Sequence, residues 1–221
     1  MLAAVLWDLD GTLVDSEQLH WEAWRETMAA EGVPITWEQF KATFGQRNDS
    51  FVPLWLGAGA TPERVARVGD AKEACYRRLV REQGLTPAPG ARDWVRRLQR
   101  NGWRQAIASS APRENVLVML DALGLADAFQ ALVAAEDVTE GKPNPQVFLL
   151  AAERLAVPPQ RCIVVEDAPA GIEAARRAGM RSIFVRGAGT PADLAVDSLA
   201  DLPEDAFDRL LGPEAQPNAE R

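Results

Sequence analysis

Residues 5–15 read Val-Leu-Trp-Asp-Leu-Asp-Gly-Thr-Leu-Val-Asp, and this stretch decides how the rest of the chain is organised. The apolar run at residues 4–7 is typical of a strand that is buried on both faces of a sheet. Residues two apart on a strand point the same way, so the side chains of Asp8 and Asp10 are expected to be neighbours at the strand end. Gly11 allows the chain to turn away directly after them.

Two neighbouring carboxylates need a reason to be there, because at about 4 Å they repel by roughly 4 kcal/mol at an effective dielectric constant of 20. A hard divalent cation bound by oxygen ligands is one reason. A strand that simply ends in a turn is another, because Asp and Gly also favour turns. Taken alone, residues 8–11 are compatible with both interpretations.

The composition is that of an ordinary globular protein. The chain has 221 residues, of which 47% are hydrophobic and 25% charged, enough for one large domain or a core domain with an insertion. Its net charge of −8 argues against nucleic acid as a partner. Cys75 and Cys162 are too few for a disulfide framework, so we expect buried free thiols in a reducing compartment.

The chain runs from Met1 into the first strand without a basic segment, and it has no apolar run of membrane-spanning length. We therefore expect a cytoplasmic protein that does not bind membranes. We expect the protein to be a monomer or a weak dimer.

A helical block follows the first strand. Helices are predicted over Ser16–Glu31, from Thr36, which has capping-box spacing to Gln39, and from Pro62 to the residue before Gly84. The last helix is expected to bury the apolar side chains of Val65, Val68, Ala71, Cys75 and Leu79. No strand is predicted in this block.

Beyond residue 87, strands and helices alternate. The predicted strands are Gln105–Ala108, Leu132–Ala134, Cys162–Val165 and Ser182–Val185. The predicted helices are Ala91–Arg100, Arg113–Leu123, a helix capped by Asn144 and Pro145 that runs to Leu155, and Pro169–Ala178. The second of these helices is expected to turn Val116, Leu117, Leu120 and Leu123 inward. This alternation predicts an α/β fold with a parallel sheet.

We expect two domains and a tail. Residues 1–14 and 88–212 would form the α/β core domain, and residues 15–87 would form a helical domain inserted into it. The last segment, 213–221, has little to bury and is predicted to be disordered.

In an open parallel sheet, ligands bind beyond the carboxyl ends of the strands. The polar residues at those ends are Asp8 and Asp10 after the first strand, Ser109 and Ser110 after the second, Lys142 in the loop after the third, and Glu166 and Asp167 after the fourth. Each has a simpler explanation as a turn, a helix cap, a solvated lysine or a helix-dipole partner. Their convergence on one edge of the sheet favours a site for phosphate chemistry.

The segments Asp8-Leu9-Asp10-Gly11-Thr12, Ser109, Gly141-Lys142-Pro143 and Glu166-Asp167 resemble the four ordered motifs of the haloacid dehalogenase superfamily. The helical insertion and residues 165–172 resemble its β-phosphoglucomutase-like and phosphoglycolate phosphatase-like branch, which has a small α-helical cap. The resemblance implies a Rossmann-like parallel-sheet core with an inserted all-α cap domain. Because a dehalogenase is not expected to keep the second acid, Asp10, it also implies phosphoryl transfer.

Carried over by position, the resemblance implies a role for each core motif. Asp8 would attack phosphorus and form an aspartyl-phosphate, and Asp10 would act as general acid and base. Ser109, the backbone around Ser110 and the ammonium group of Lys142 would hold the transferring phosphoryl group.

The same resemblance implies Mg²⁺ as the cofactor. A carboxylate oxygen of Asp8, the backbone carbonyl of Asp10 and the side chain of Asp167 would bind the ion. Glu166 would act through a water molecule or as a hydrogen-bond acceptor behind the ligands.

The helical block is expected to close over the site and to supply substrate contacts. The candidates are His20, Arg47, Asn48 and Lys72. In the mutase branch, cations at comparable positions hold a second phosphate, and Arg47 and Lys72 are compatible with that role. The alternative for each of these residues is a solvated position on the surface.

Thr12 bears on the choice between hydrolase and mutase. Sugar-phosphate mutases of the family carry an apolar residue at this position, whereas phosphatases often carry threonine. The resemblance therefore favours an Mg²⁺-dependent phosphatase of a small phosphorylated metabolite, such as a sugar phosphate or phosphoglycolate. A hexose-phosphate mutase similar to β-phosphoglucomutase stays open as an alternative, as does an inert binding module on the same fold.

Overall fold

The computed structural model describes residues 2–43, 48–187 and 189–212, without the side chain of residue 49. The chain divides into two units. The core unit comprises Met1–Asp15 and Leu85–Arg221, and the helical unit comprises Ser16–Gly84. These limits lie close to the expected domain limits of 1–14, 88–212 and 15–87, which stay a prediction, and the tail at 213–221 lies outside the described residues.

Six strands of the described core unit form one parallel sheet. They are β1 (Ala4–Trp7), β2 (Arg104–Ala108), β3 (Ala131–Val133), β4 (Cys162–Glu166), β5 (Arg181–Phe184) and β6 (Leu194–Ala195). Their order across the sheet is β3-β2-β1-β4-β5-β6, so β1 is an interior strand. Every residue of β1 is fully buried, as its unbroken apolar sequence predicts.

The described helices of the core unit are α5 (Ala91–Arg100), α6 (Arg113–Leu123), α7 (Gln146–Leu155), α8 (Pro169–Arg177) and α9 (Ala206–Leu211). Side chains of α7 and α8, such as Phe148 and Ala175, pack with Leu6 and Val164 of the sheet in one apolar cluster. This arrangement confirms the predicted α/β class. It also brings the carboxyl ends of β1, β2, β4 and β5 to one edge of the sheet.

Two features of the core unit differ from the expectation. Leu117, expected to point inward, is 53% exposed, whereas the neighbouring Met119 is fully buried. The pairing of β6 with β5 and the helix α9 were not predicted. Helix α9 buries Phe207, whose ring lies 5.2 Å from the ring of Trp94 between centroids.

The inserted segment leaves and re-enters the core unit at one place. Val14 forms an antiparallel bridge with Pro87, and the N–H of Ala88 donates to the carbonyl of Leu13 at 2.9 Å. The two chain crossings therefore run side by side within the core unit.

The helical unit contains α1 (Glu17–Ala30), α2 (Trp37–Thr43), α3 (Asn48–Leu56) and α4 (Pro62–Gln83). Over residues 16–43 and 48–84 the structure contains no strand, as predicted. The predicted caps are present: the N–H of Gln39 donates to Oγ1 of Thr36, Oε1 of Gln39 accepts from the N–H of Thr36, and Oγ1 of Thr61 accepts from the N–H of Arg64.

The buried face of α4 was predicted only in part: Val68 and Leu79 are buried as expected. Ala71 is exposed and Cys75 is only partly buried, whereas Lys72 is 3% exposed and Tyr76 is fully buried. A lysine therefore shares the buried face with these apolar residues in the interior of the helical unit. The other thiol, Cys162, is free and buried as predicted. No helix in the described part of the chain has the length and apolar character to cross a membrane.

Candidate active site

Asp8 is the first residue after β1. Its N–H donates to the carbonyl of Val165 on β4 at 3.0 Å, so the sheet fixes the backbone at this position. Asp8 is 7% exposed, and its Oδ1 atom lies 2.6 Å from Nζ of Lys142. Burial raises the pKa of Asp8; Lys142 opposes the rise, and the charges of Glu166 and Asp167 add to it.

Lys142 enters the site from the loop between β3 and α7, and its side chain is 8% exposed. Its Nζ atom lies 2.6 Å from Oε1 of Glu166 as well as from Asp8, and 5.1 Å from the ring centroid of Phe148. Burial alone would lower the pKa of Lys142, but the two carboxylates outweigh burial and hold this pKa above its ordinary value. Lys142 is therefore a fixed positive charge at neutral pH.

Glu166 ends β4 and is 1% exposed. Oε1 accepts from Lys142 and Oε2 accepts from the N–H of Ala168 at 2.8 Å, so both oxygens have a donor. The carboxylate lies against Gly171 of α8, where a Cβ atom would be 1.9 Å from Oε1. The lack of a side chain at Gly171 thus makes room for Glu166.

Asp167 follows Glu166, and its side chain is 15% exposed. Its Oδ2 atom lies 3.0 Å from Nε of Arg186, and Oδ1 accepts from the hydroxyl of Thr12 at 3.3 Å. Burial and the charge of Glu166 raise the pKa of Asp167 to about 6, although Arg186, Lys142 and Thr12 favour its ionised form.

The carboxylates of Asp8, Glu166 and Asp167 form one acidic cluster. One oxygen from each lies within 4.8 Å of the others, a geometry that could hold a metal ion. An all-oxygen ligand set suits a hard divalent cation. The donor chemistry and the crowded negative charge both fit such a cation.

The remaining core candidates are at the same edge. Trp7 on β1 is aligned with Ile107 on β2, which brings the strand ends that carry Asp10 and Ser109 next to each other. Asp10 is partly exposed in the turn after β1. Ser109 is 2% exposed and its Oγ atom accepts from the N–H of Ala111 at 3.0 Å, which forms a turn, as the simpler interpretation allows, but not a helix cap, because the N-cap residue of α6 is Pro112.

Ser110, the residue after Ser109, is exposed.

Three of the residues predicted to contact the substrate lie together within the helical unit. Nζ of Lys72 lies 2.9 Å from Nδ1 of His20 and 3.0 Å from Oε1 of Glu73, and Nδ2 of Asn48 donates to the same carboxylate oxygen at 3.0 Å. Lys72 is buried, so the alternative of a solvated surface lysine is wrong. Arg47 lies outside the described residues.

Sequence reasoning did not single out three residues that the structure brings to these clusters: Arg186, Gly171 and Glu73. Arg186 could have been found, because it comes two residues after β5 and so belongs to the same edge of the sheet. Gly171 lies within the segment that carries the family resemblance, but a helical glycine does not reveal what occupies the space beside it. Glu73 adjoins Lys72 on a helix whose buried face was predicted only in part.

Comparison with known proteins agrees with this site. The family profile "Hydrolase: haloacid dehalogenase-like hydrolase" matches residues 2–179. The chain belongs to the haloacid dehalogenase-like hydrolases. The resemblance of the motifs is thereby confirmed, and so is the prediction of an enzyme that hydrolyses phosphoric monoesters rather than an inert module on the same fold.

Individual relatives place the chain in the expected branch. It is 31% identical over 201 residues to protein CbbY of Rhodobacter capsulatus, covering 87% of this chain and 88% of the relative. It is 34% identical over 225 residues to hexitol phosphatase B of Escherichia coli K12, covering 96% and 97%.

Two solved structures of family members are similar in fold. A β-phosphoglucomutase from Clostridium difficile has a TM-score of 0.83 and 28% identity, covering 96% of this chain and 97% of that one. A variant of CbbY from Rhodobacter sphaeroides, in complex with xylulose-(1,5)bisphosphate, has a TM-score of 0.83 and 31% identity, covering 94% and 100%.

Proposed function

We propose that this hydrolase is an Mg²⁺-dependent phosphatase of small sugar or polyol phosphates, and that it works through an aspartyl-phosphate on Asp8. One observation carries the proposal. The Asp8 carboxylate is buried at the end of an interior strand, 2.6 Å from a fixed lysine, and shares an acidic cluster with Glu166 and Asp167. A nucleophile needs such a fixed position, because phosphoryl transfer is catalysed mainly by positioning and charge neutralisation.

In the first step, a carboxylate oxygen of Asp8 attacks phosphorus, and the bond from phosphorus to the substrate oxygen breaks. Asp10 donates a proton to the leaving oxygen, which departs as an alcohol. Ser109 and the backbone at Ser110 hold the phosphoryl oxygens. Lys142 offsets their charge and keeps Asp8 in place.

In the second step, Asp10 accepts a proton from water, and the water oxygen attacks the phosphorus of the aspartyl-phosphate. The bond between phosphorus and Asp8 breaks, which releases inorganic phosphate and restores the carboxylate. Asp10 suits both steps because it is partly exposed in the turn beside Asp8 and can exchange protons with water.

The residues present fit a divalent cation. Asp8, Asp167 and the backbone carbonyl of Asp10 would hold it, and Glu166 would act behind them, since it is 1% exposed and holds the ammonium group of Lys142. When bound, the ion would neutralise negative charge on the phosphoryl group. We favour Mg²⁺ because the proposed ligands are all oxygen atoms.

For the substrate, we extend to this chain the class named for its relatives, phosphorylated hexitols and ketose bisphosphates. We also propose that His20, Asn48 and Lys72 of the helical unit, together with Arg47, contact the part of the substrate that is not transferred. We keep a cytoplasmic location and a monomer or weak dimer as predictions.

The test is a phosphate-release assay with EDTA-treated protein, with and without Mg²⁺. The substrates are a hexitol phosphate, xylulose 1,5-bisphosphate, phosphoglycolate and glucose 1-phosphate. We expect Mg²⁺-dependent release from a sugar or polyol phosphate, and its loss in Asp8→Asn and Asp10→Ala variants that keep the wild-type circular dichroism spectrum. Release from none of the compounds would contradict the proposal.

The intermediate is tested separately by acid quenching of a reaction with a ³²P-labelled substrate. The wild-type protein should retain label that hydroxylamine removes, as an acyl phosphate requires, and the Asp8→Asn variant should retain none. Label that persists in the Asp8→Asn variant would place the phosphoryl group on a different residue.

A mutase is the second candidate, favoured by the similarity to the β-phosphoglucomutase structure. It predicts conversion of glucose 1-phosphate to glucose 6-phosphate that depends on a hexose bisphosphate, with little phosphate released. Thr12 favours the phosphatase, and the ratio of isomerised to hydrolysed product decides between the two.

A further inference from the structure

Two side chains hold the carboxylate of Asp167 from different directions. Nε of Arg186 lies 3.0 Å from Oδ2, and the hydroxyl of Thr12 donates to Oδ1 at 3.3 Å. Thr12 is 1% exposed in the turn after β1, so its position is set by the core. A carboxylate with a partner on each oxygen has little freedom to rotate.

Gly11 provides the space for this arrangement. A Cβ atom at Gly11 would lie 2.2 Å from Oδ2 of Asp167 and 3.1 Å from Nη2 of Arg186. The Asp167 carboxylate therefore fits against the turn after β1 only because this residue has no side chain, and the Arg186 guanidinium lies in close contact with the same position. We call Gly11, Thr12 and Arg186 the Asp167 clamp.

Arg186 contributes little to this clamp as a simple ion pair. Its side chain is 46% exposed, and exposed ion pairs stabilise a fold by only about 0.2–1 kcal/mol. The residue before it, however, is anchored next to the site, because the N–H of Val185 donates to the carbonyl of Glu166 at 2.9 Å. Because the ion pair contributes little to stability, Arg186 is better suited to orienting the Asp167 carboxylate than to stabilising the fold.

We propose that Arg186 is a positioning residue that fixes the Asp167 carboxylate in the orientation needed to bind a divalent cation. The inference rests on the proposed function, in which Asp167 is a metal ligand. Loss of a hydrogen-bonding partner behind a metal ligand typically lowers metal affinity by about 10–100-fold. We expect about 10-fold for Arg186, the lower end of that range, because its side chain is half exposed.

The test measures Mn²⁺ binding to the EDTA-treated protein by isothermal titration calorimetry, without substrate and at fixed ionic strength. Arg186→Gln should weaken binding about 10-fold, and Arg186→Lys, which keeps the charge but not the planar guanidinium, should lie in between. Arg181→Gln is the matched control. Arg181 begins β5, the strand that Arg186 follows; it is 58% exposed and pairs with Asp193 at 2.7 Å.

Measurement of Tm separates the positioning role of Arg186 from a purely structural one. Under our proposal, the Tm of each variant shifts by a few degrees at most, because only an exposed pair is lost. The Mg²⁺ concentration for half-maximal activity of Arg186→Gln should rise by the factor seen for Mn²⁺ binding, while kcat at saturating Mg²⁺ changes much less.

Mn²⁺ binding by Arg186→Gln that is as tight as in the wild type would overturn the inference. Tighter binding would overturn it as well, because it would mean that the arginine competes with the cation. A lower kcat at saturating Mg²⁺ with unchanged Mn²⁺ affinity would overturn it too. If the wild-type protein binds no Mn²⁺, the metal part of the proposed function fails and the inference fails with it. If the wild-type protein binds Mn²⁺ and the Arg186 variants bind it equally well, the inference alone fails.

Discussion

Oε1 of Glu166 accepts a hydrogen bond from Nζ of Lys142 at 2.6 Å, and both side chains are almost fully buried, at 1% and 8% exposure. Glu166 therefore holds the lysine that contacts Asp8. We expect Glu166→Gln to lower kcat by about 10–100-fold, because small displacements of a positioning group have effects of that size.

Steady-state kinetics at saturating Mg²⁺ would measure the effect of Glu166→Gln. Glu173→Gln on α8 is the control, because Glu173 pairs only with the exposed Arg176 and Arg177 among the contacts described. Equal kcat values for the two variants would show that Glu166 does not position Lys142.

Because Gly171 lies against Glu166, the effect of Gly171→Ala on stability should differ in sign between the wild-type protein and a Glu166→Ala variant. In the wild-type background, Gly171→Ala forces a methyl group into the Glu166 carboxylate and should lower the free energy of unfolding by about 1–3 kcal/mol. In a Glu166→Ala background the space is open, and the same substitution should raise that free energy by up to about 1 kcal/mol through helix propensity.

Urea denaturation of the four proteins measures both effects of Gly171→Ala. The same sign in both backgrounds would mean that Gly171 does not act through Glu166.

Asp137 predicts a pH dependence of stability. Its carboxylate accepts from Arg154 at 2.8 Å, from Arg113 and from the N–H of Ala134, and it joins α6 and α7 to the loop that leads to Lys142. Hydrogen bonding by Arg154 is the main cause that lowers the pKa of Asp137 to about 2.

Because this pKa is depressed in the folded state, the stabilisation by Asp137 is complete above the unfolded pKa of about 4 and is lost as the pH falls towards 2. Asp137→Asn should therefore lower the free energy of unfolding by about 2 kcal/mol at pH 7, and the difference from the wild type should shrink below about pH 4. Urea denaturation between pH 3 and pH 7 measures the difference, and a constant difference over that range would contradict the assignment.

The buried pair of Lys72 and Glu73 in the helical unit predicts strong coupling between two substitutions. Lys72→Met removes the main counter-charge of a carboxylate that is only 12% exposed, and breaking a buried ion pair costs about 3–5 kcal/mol. The double variant Lys72→Met/Glu73→Gln should recover most of this loss, because no buried charge is left unpaired.

A double-mutant cycle on the free energy of unfolding measures the coupling of Lys72 and Glu73. Additive effects would mean that the pair is not buried in solution. If the double variant folds well and shows a raised KM that the Glu73→Gln variant does not show, Lys72 also has the proposed role in substrate binding.

Local signals in the sequence were sufficient for much of this structure. Thr36 and Thr61 predict helix starts because a hydroxyl satisfies the free N–H groups of the first turn wherever the helix packs. The edge that carries Asp8, Lys142 and Asp167 could be predicted because strand direction alone decides which loops meet.

What the sequence did not reveal depends on partners that are distant along the chain. The ammonium group of buried Lys72 contacts His20 of another helix as well as the adjacent Glu73, and apolar periodicity carries no information about the distant contact. Helix α9 is short and was missed because its burial depends on Phe207 meeting three tryptophans of the core unit. The place of Arg186 after β5 could have been read from the sequence, but its contact with Asp167 beside Gly11 could not.

The antiparallel bridge between Val14 and Pro87 has an evolutionary consequence. Because the inserted segment begins and ends at adjacent points, a lineage can replace it with a different module without disturbing the strands that carry Asp8 and Asp167. The catalytic residues of the core unit and the sequence of the inserted segment can then diversify independently: strict geometric selection acts on the former, and the latter can be exchanged as a unit.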